Sequence, residues 1–140
     1  MQWRRDQKDV PLRQAAAERG LKDYFVQSRC LANADVRRIA AGAAVTVEQV
    51  RQLAVARRPQ IDRVVVIVVC EFGPVVKLLS SAALVEGGTE VLLRITSYSP
   101  KAPERQQDFK VHWKHGGPSV VKGVATLPQD MQAALAASLE

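Results

Sequence analysis

The sequence predicts an α+β chain: three helices, then a small antiparallel β meander or barrel, closed by a C-terminal helix. Three observations predict it. Up to Pro59 the apolar residues recur at spacings of three and four, the period of an amphipathic helix. From Val64 onward, β-branched runs and strict alternation take over, which suits strands. After Pro128 the helical spacing returns. The period changes between Arg58 and Arg63, and about four residues are too few for a flexible linker. Residues 1–60 and 61–140 are therefore expected as two units packed on each other.

The first helix is expected over Arg13 to Arg29, with Ala16, Ala17, Leu21, Tyr24 and Phe25, and then Cys30, along one stripe. Gly20 inside it costs about 1 kcal/mol relative to Ala, so another element must hold this helix. A second helix starts at Asn33, an N-cap residue type, carries Val36, Ile39 and Ala40, and ends near Gly42. Thr46-Val-Glu-Gln49 reads as a capping box. It opens a third helix with Val50, Leu53 and Ala54 inward, stopped by Pro59.

Val64–Cys70 suits a strand buried on both faces. Phe72-Gly-Pro74 is expected as a turn, and Val75–Val85 fits strand or helix. Glu86-Gly-Gly-Thr89 is expected as a hairpin turn into a strand over Glu90–Ser97, followed by a polar loop over Ser99–Gln107. Asp108–Trp113 alternates, with Phe109, Val111 and Trp113 on one face and Lys110, His112 and Lys114 on the other. His115-Gly-Gly-Pro118 turns the chain and Ser119–Ala125 makes a last strand, for four or five in all. Pro128 opens the closing helix, with Met131, Ala134, Leu135 and Leu139 inward.

Composition narrows the class. At 47% hydrophobic residues the chain is not intrinsically disordered. Its two cysteines, Cys30 and Cys70, stand in unlike contexts and make no disulfide framework, so a reducing compartment is the default. No apolar run approaches the roughly 18 residues of a membrane span. The basic start is followed by no apolar signal core. Residues 1–63 hold 13 Lys/Arg against 7 Asp/Glu, whereas residues 64–140 hold 7 of each, so the first half carries the whole net charge of +6. That asymmetry suggests an acidic partner, nucleic acid being the commonest, against an ordinary solvated basic surface.

Leu21, Phe25, Leu31, Ile39-Ala40, Val45-Thr46, Gln49-Val50 and Arg57-Arg58 stand at spacings that resemble a homeodomain, over about residues 6–62 and without a gap. The resemblance implies a three-helix unit with a helix-turn-helix, a eukaryotic source and a nuclear location, with a plastid or mitochondrial location after presequence removal as the alternative. The departures bear on function. Leu53-Ala54 replace the family's Trp-Phe core pair, and Ala56 replaces the asparagine that pairs with adenine. Val55 and Pro59 occupy two further reading positions, and Gln52 alone of the reading set keeps hydrogen-bonding capacity. Phosphate contacts are implied for Arg51, Arg57 and Arg58, with Arg4, Arg5 and Lys8 as a basic arm toward a minor groove.

No catalytic constellation is evident. His112 and His115 stand three apart on a strand, hence on opposite faces, with no cysteine or carboxylate cluster to complete a metal site. Glu86-Gly87-Gly88-Thr89 lacks the helix and lysine of a phosphate loop, Ser80-Ser81 has no nearby histidine or acid, and Cys70 fits a small core residue. Trp113 with Lys110, Lys114 and Lys122 suggests a stacking platform, against the simpler role of Trp113 as core. The expectation is a non-enzymatic protein without cofactor or metal that contacts nucleic acid mainly through backbone charges, in transcription or another nucleic-acid machine. The alternative is a structural or adaptor subunit of a larger assembly, contacting protein partners, with DNA binding lost.

Overall fold

The computed structural model describes residues 8–28, 31, 33–40, 42–56, 61–79 and 84–139. Two helices, α1 (Val10–Gln27) and α2 (Val47–Ala56), precede three long strands, β1 (Val64–Leu79), β2 (Leu84–Ser99) and β3 (Ala102–Pro118). A 3-10 turn (Val124–Thr126) leads into α3 (Leu127–Leu139). The strands form one antiparallel meander in the order β1-β2-β3.

The expected three-helix unit does not form, and with it falls the helix-turn-helix fold class. Residues 34–40, which should carry the second helix, have no regular structure, and Asn33 takes a left-handed conformation (φ 64°) instead of capping a helix. The physical reason is the want of a partner. Val36 and Ile39 stay 40% and 46% exposed, because the apolar stripe of α1 is occupied by α3. A helix of about two turns without a packed face is marginal in water. The third expected helix does form, as α2, and its capping box is made: Gln49 N–H donates to Thr46 Oγ1 at 3.2 Å and Thr46 N–H to Gln49 Oε1 at 2.9 Å. Val50 is fully buried on its inner face. Its expected stop, Pro59, and the stripe member Cys30 lie outside the described residues.

Gly20 shows what holds α1. A Cβ at this position would lie 2.6 Å from the Pro128 carbonyl oxygen and 2.7 Å from Met131 Cβ, so α3 crosses α1 in backbone contact there. Ala16, Ala17 and Tyr24 of α1 join Leu127, Met131, Ala134 and Leu135 of α3 in one core with Val69, Phe72, Val91, Leu93 and Ile95 of the sheet. The two helices thus cover the sheet face that carries alternate β2 residues from Thr89 to Ser97. Their β3 neighbours on that face are Trp113, Val111 and Phe109; Lys114, His112 and Lys110 face the other way, as the alternation requires.

Three strands replace the expected four or five because each is longer than its local signals suggest. β1 runs on through Phe72-Gly-Pro74 after a bulge at Cys70. Proline is tolerated because β1 is an edge strand, with one side free of ladder bonds among the described residues. Glu86-Gly-Gly-Thr89 is no turn: Gly87 and Gly88 pair with Gly117 and Gly116. A Cβ on Gly88 would stand 2.5 Å from the His115 carbonyl oxygen, so these glycines permit close backbone approach within the sheet. The Ser99–Gln107 loop shrinks to a turn at Pro100-Lys101. The expected last strand over Ser119–Ala125 is irregular and ends in the 3-10 turn. The C-terminal helix forms as expected. No helix among the described residues is long and apolar enough to cross a membrane.

Candidate interaction surface

The residues expected to touch nucleic acid fall into two groups. Lys8, Arg51 and Gln52 are described and exposed; Arg4, Arg5, Arg57 and Arg58 lie outside the described residues. On α2, Arg51 faces Glu104 of β3 at 3.9 Å, and Gln52 Nε2 lies 3.5 Å from Glu48 Oε1. Other cations of the first half also have carboxylate partners. Arg38 meets Glu18 at 2.7 Å, Arg37 meets Asp35 at 3.0 Å and Arg19 meets Asp23 at 3.7 Å. Exposed pairs of this kind add little stability, yet each carboxylate offsets the positive potential that a phosphate backbone needs.

The densest polar cluster was not foreseen. Asp130, on the first turn of α3, is buried. It accepts hydrogen bonds from Thr89 Oγ1 at 2.5 Å, Lys122 Nζ at 2.6 Å and Thr126 Oγ1 at 3.3 Å. Lys122 also donates to His115 Nδ1 at 2.7 Å. The same ring nitrogen approaches Asp130 Oδ1 at 3.5 Å. Burial pushes the Asp130 carboxyl up, but the bonds from Lys122 and Thr89 and the lysine charge outweigh it, and the group titrates below the ordinary aspartate range. Its lone pairs are committed to β2, the 3-10 turn and the segment before it. It ties α3 to the sheet and is poorly placed to take a proton from a substrate.

His112 lies on the opposite face of β3, where it meets Glu90 of β2, and Lys114 approaches the same carboxylate at 3.2 Å. The hydrogen bond from His112, opposed by burial and helped by Lys114, holds Glu90 below the usual carboxylate range. The two histidines therefore serve different carboxylates on different faces. Among the described residues no group of three His, Cys, Asp or Glu could hold a metal ion. An open cleft of about 270 Å³ between α1 and α3, lined by Tyr24, Gln27, Ser28, Gln132, Ala133 and Ala136, contains no carboxylate, imidazole or thiol.

The two outer edges of the sheet differ sharply. On β3 the run Glu104-Arg-Gln-Gln-Asp108 is exposed and polar, and Lys110 and Lys114 follow. Charges of this kind blunt an edge against further pairing. β1 presents Val64, Val65, Val66, Ile67, Val68 and Val69, with neither charge nor proline. Among the described residues no strand pairs with its outer side. Midway along, the edge is interrupted: Arg13 Nη1 donates to the Phe72 carbonyl at 3.4 Å, and Pro74 has no N–H. The uninterrupted apolar stretch before it is the valine-rich first half.

No family model, no curated protein and no solved structure matches the chain.

Proposed function

We propose that this chain is a non-enzymatic interaction module, a structural or adaptor subunit that joins a larger assembly through the outer edge of β1. The observation that carries this is the contrast between the two edges. β3 is guarded by charge over its exposed length, while six consecutive β1 residues are apolar and carry unpaired backbone groups on their outer side among the described residues. Strand addition to such an edge takes its affinity from main-chain hydrogen bonds and its selectivity from alternate side chains. The ionisable groups inside the fold are committed to one another, which supports a role without chemistry.

Affinity capture with wild type and with a V66K/V68K variant tests it. Both side chains lie on the sheet face opposite α1 and α3, so the lysines guard the edge without entering the core those two helices cover. Edge-dependent partners should be lost from the variant. Identical capture by both proteins would remove the proposal.

A second reading, weak contact with nucleic acid through backbone charges, is favoured by the excess of 13 Lys/Arg over 7 Asp/Glu in residues 1–63. It predicts anisotropy changes on random duplex DNA that fall steeply with salt and weaken in an R51A variant. Flat titrations at low salt would end it.

A further inference from the structure

We infer that the sheet face opposite α1 and α3 holds a single phosphate group, that of a small phosphate monoester, between Arg94 of β2 and Lys110 of β3. This surface is distinct from the β1 edge, and the inference stands or falls independently of the edge reading.

The strand registers build the face row by row. Thr96 pairs with Asp108, Arg94 with Lys110, Leu92 with His112 and Glu90 with Lys114. Val66, Val68 and Glu71 of β1 stand beside Thr96, Arg94 and Leu92. Leu93 and Ile95, which alternate with these β2 residues, are fully buried on the helix side. Arg94 therefore projects the other way. It lies on the central strand and is exposed, as are Lys110 and His112, so no described element covers the middle of the face.

The carboxylates of this face are all engaged. Asp108 Oδ1 accepts from Thr96 Oγ1 at 2.6 Å, and Oδ2 accepts from Gln106 Nε2 at 2.9 Å. Glu90 meets His112 and Lys114. Glu71 has an interaction of its own. The two cations in the middle differ: among the described residues, neither the Arg94 nor the Lys110 side chain makes an ion pair or a hydrogen bond. They nevertheless stand directly opposite each other, and like charges so placed, about 5 Å apart at Cβ, destabilise a sheet. A local rule broken without compensation inside the fold is the mark of a functional position. An anion supplies the compensation from outside. The guanidinium offers a planar fork for two phosphate oxygens, and the ammonium offers a point charge for the third. Val66, Val68 and Leu92, half-buried around Arg94, give an apolar shelf for the organic part of the ester.

Charge also limits the ligand to one phosphate. Asp108 stands in the row on one side of the pair and Glu71 in the row on the other. A polynucleotide crossing this face would set its next phosphate against one of these acids. Residues 64–140 hold 7 Lys/Arg and 7 Asp/Glu, so the sheet half adds no net positive field to draw a polyanion.

Titration of the full chain with phenyl phosphate, followed by 1H–15N NMR at constant ionic strength with chloride as counter-titrant, tests the site. Saturable shifts should centre on the Arg94 Nε–H and on the amides around Arg94 and Lys110. The expected Kd is about 1–10 mM for two exposed cations. Inorganic phosphate should shift the same signals more weakly, for want of the apolar contact. R94Q and K110Q should each weaken binding at least about fivefold. K77Q, which removes an exposed lysine elsewhere on β1, should leave it unchanged. A second readout separates lost binding from lost folding. In phosphate-free buffer K110Q should melt about 1–3 °C higher than wild type, because the opposed charges are gone. Shifts that never saturate, that spread over the whole basic surface, or that survive in R94Q and K110Q overturn the inference, and so does a K110Q that melts lower than wild type. Tighter binding of an oligothymidylate than of phenyl phosphate at equal phosphate concentration, lost in the same variants, would overturn the choice of a single phosphate in favour of a nucleic acid.

Discussion

At the scale of single residues, Asp130 is the side chain on which most depends. It is buried against Lys122, whose side chain is 14% exposed, so neither charge can be deleted alone without stranding the other. Asp130→Ala should destabilise the fold by about 3 kcal/mol, measured by urea denaturation at neutral pH. The double variant D130L/K122M should lose clearly less than the two single changes together. The pH dependence has a definite sign. Asp130 titrates lower in the folded chain than unfolded, where an aspartate sits near 3.9. Its contribution is therefore full above the unfolded value and fades as pH falls through the folded one. Acid unfolding below about pH 4 should be blunted in D130N, and an unchanged acid limb would deny Asp130 this role. The cluster was only partly legible in the sequence. Asp130 precedes Ala134 by one turn on the stripe expected inward, and a carboxylate there demands a partner. The partners Thr89, His115 and Lys122 are brought to it only by the fold of the long strands.

At the scale of elements, local signals succeeded where local forces decide. The box of Thr46 and Gln49 is made by residues three apart, and Thr46→Ala should cost about 1 kcal/mol in thermal or urea unfolding. They failed where a distant partner decides. Asn33, Val36, Ile39 and Ala40 have helical spacing, but no apolar surface is left for them to cover. Ile39→Pro should consequently change stability by less than about 0.5 kcal/mol, whereas a proline inside a helix would cost about 3. Gly20 reverses the usual expectation. Alanine is the better helix former by about 1 kcal/mol, yet its Cβ would strike the Pro128 carbonyl and Met131. Gly20→Ala should destabilise by about 2 kcal/mol, because the Pro128 carbonyl is backbone and Met131 is fully buried, which leaves little room to yield. The paired glycines at 87–88 and 116–117 misled for the same kind of reason: Gly-Gly marks turns in isolation, and here it marks two backbones pressed together.

At the scale of the whole molecule, the core joins residues from both ends of the chain. The stripe of α1, legible as Ala16, Ala17 and Tyr24, packs on α3, legible as Met131, Ala134 and Leu135, but nothing in either period says that the two meet. The homeodomain-like spacing pointed instead to neighbours within residues 6–62, and the loss of the second helix removes them. The site was less legible than the fold. Of its expected residues, Arg51 and Gln52 face carboxylates on the surface, whereas the open edge emerges only once β1 is seen to lie outside the sheet. The shared core makes a demanding prediction. A chain ending at residue 126 keeps every strand and both early helices but strips Leu127, Met131, Ala134 and Leu135 from the stripe of α1 and the inner sheet face. Four buried apolar side chains at about 1.5–3 kcal/mol each, alanine less, match or exceed half the stability of a domain this size. Such a chain should show no cooperative thermal transition, with α1 losing helicity together with the sheet. A sharp transition with near-native circular dichroism would mean that the sheet and α1 hold together without α3, and that the crossing at Gly20 is an accessory contact.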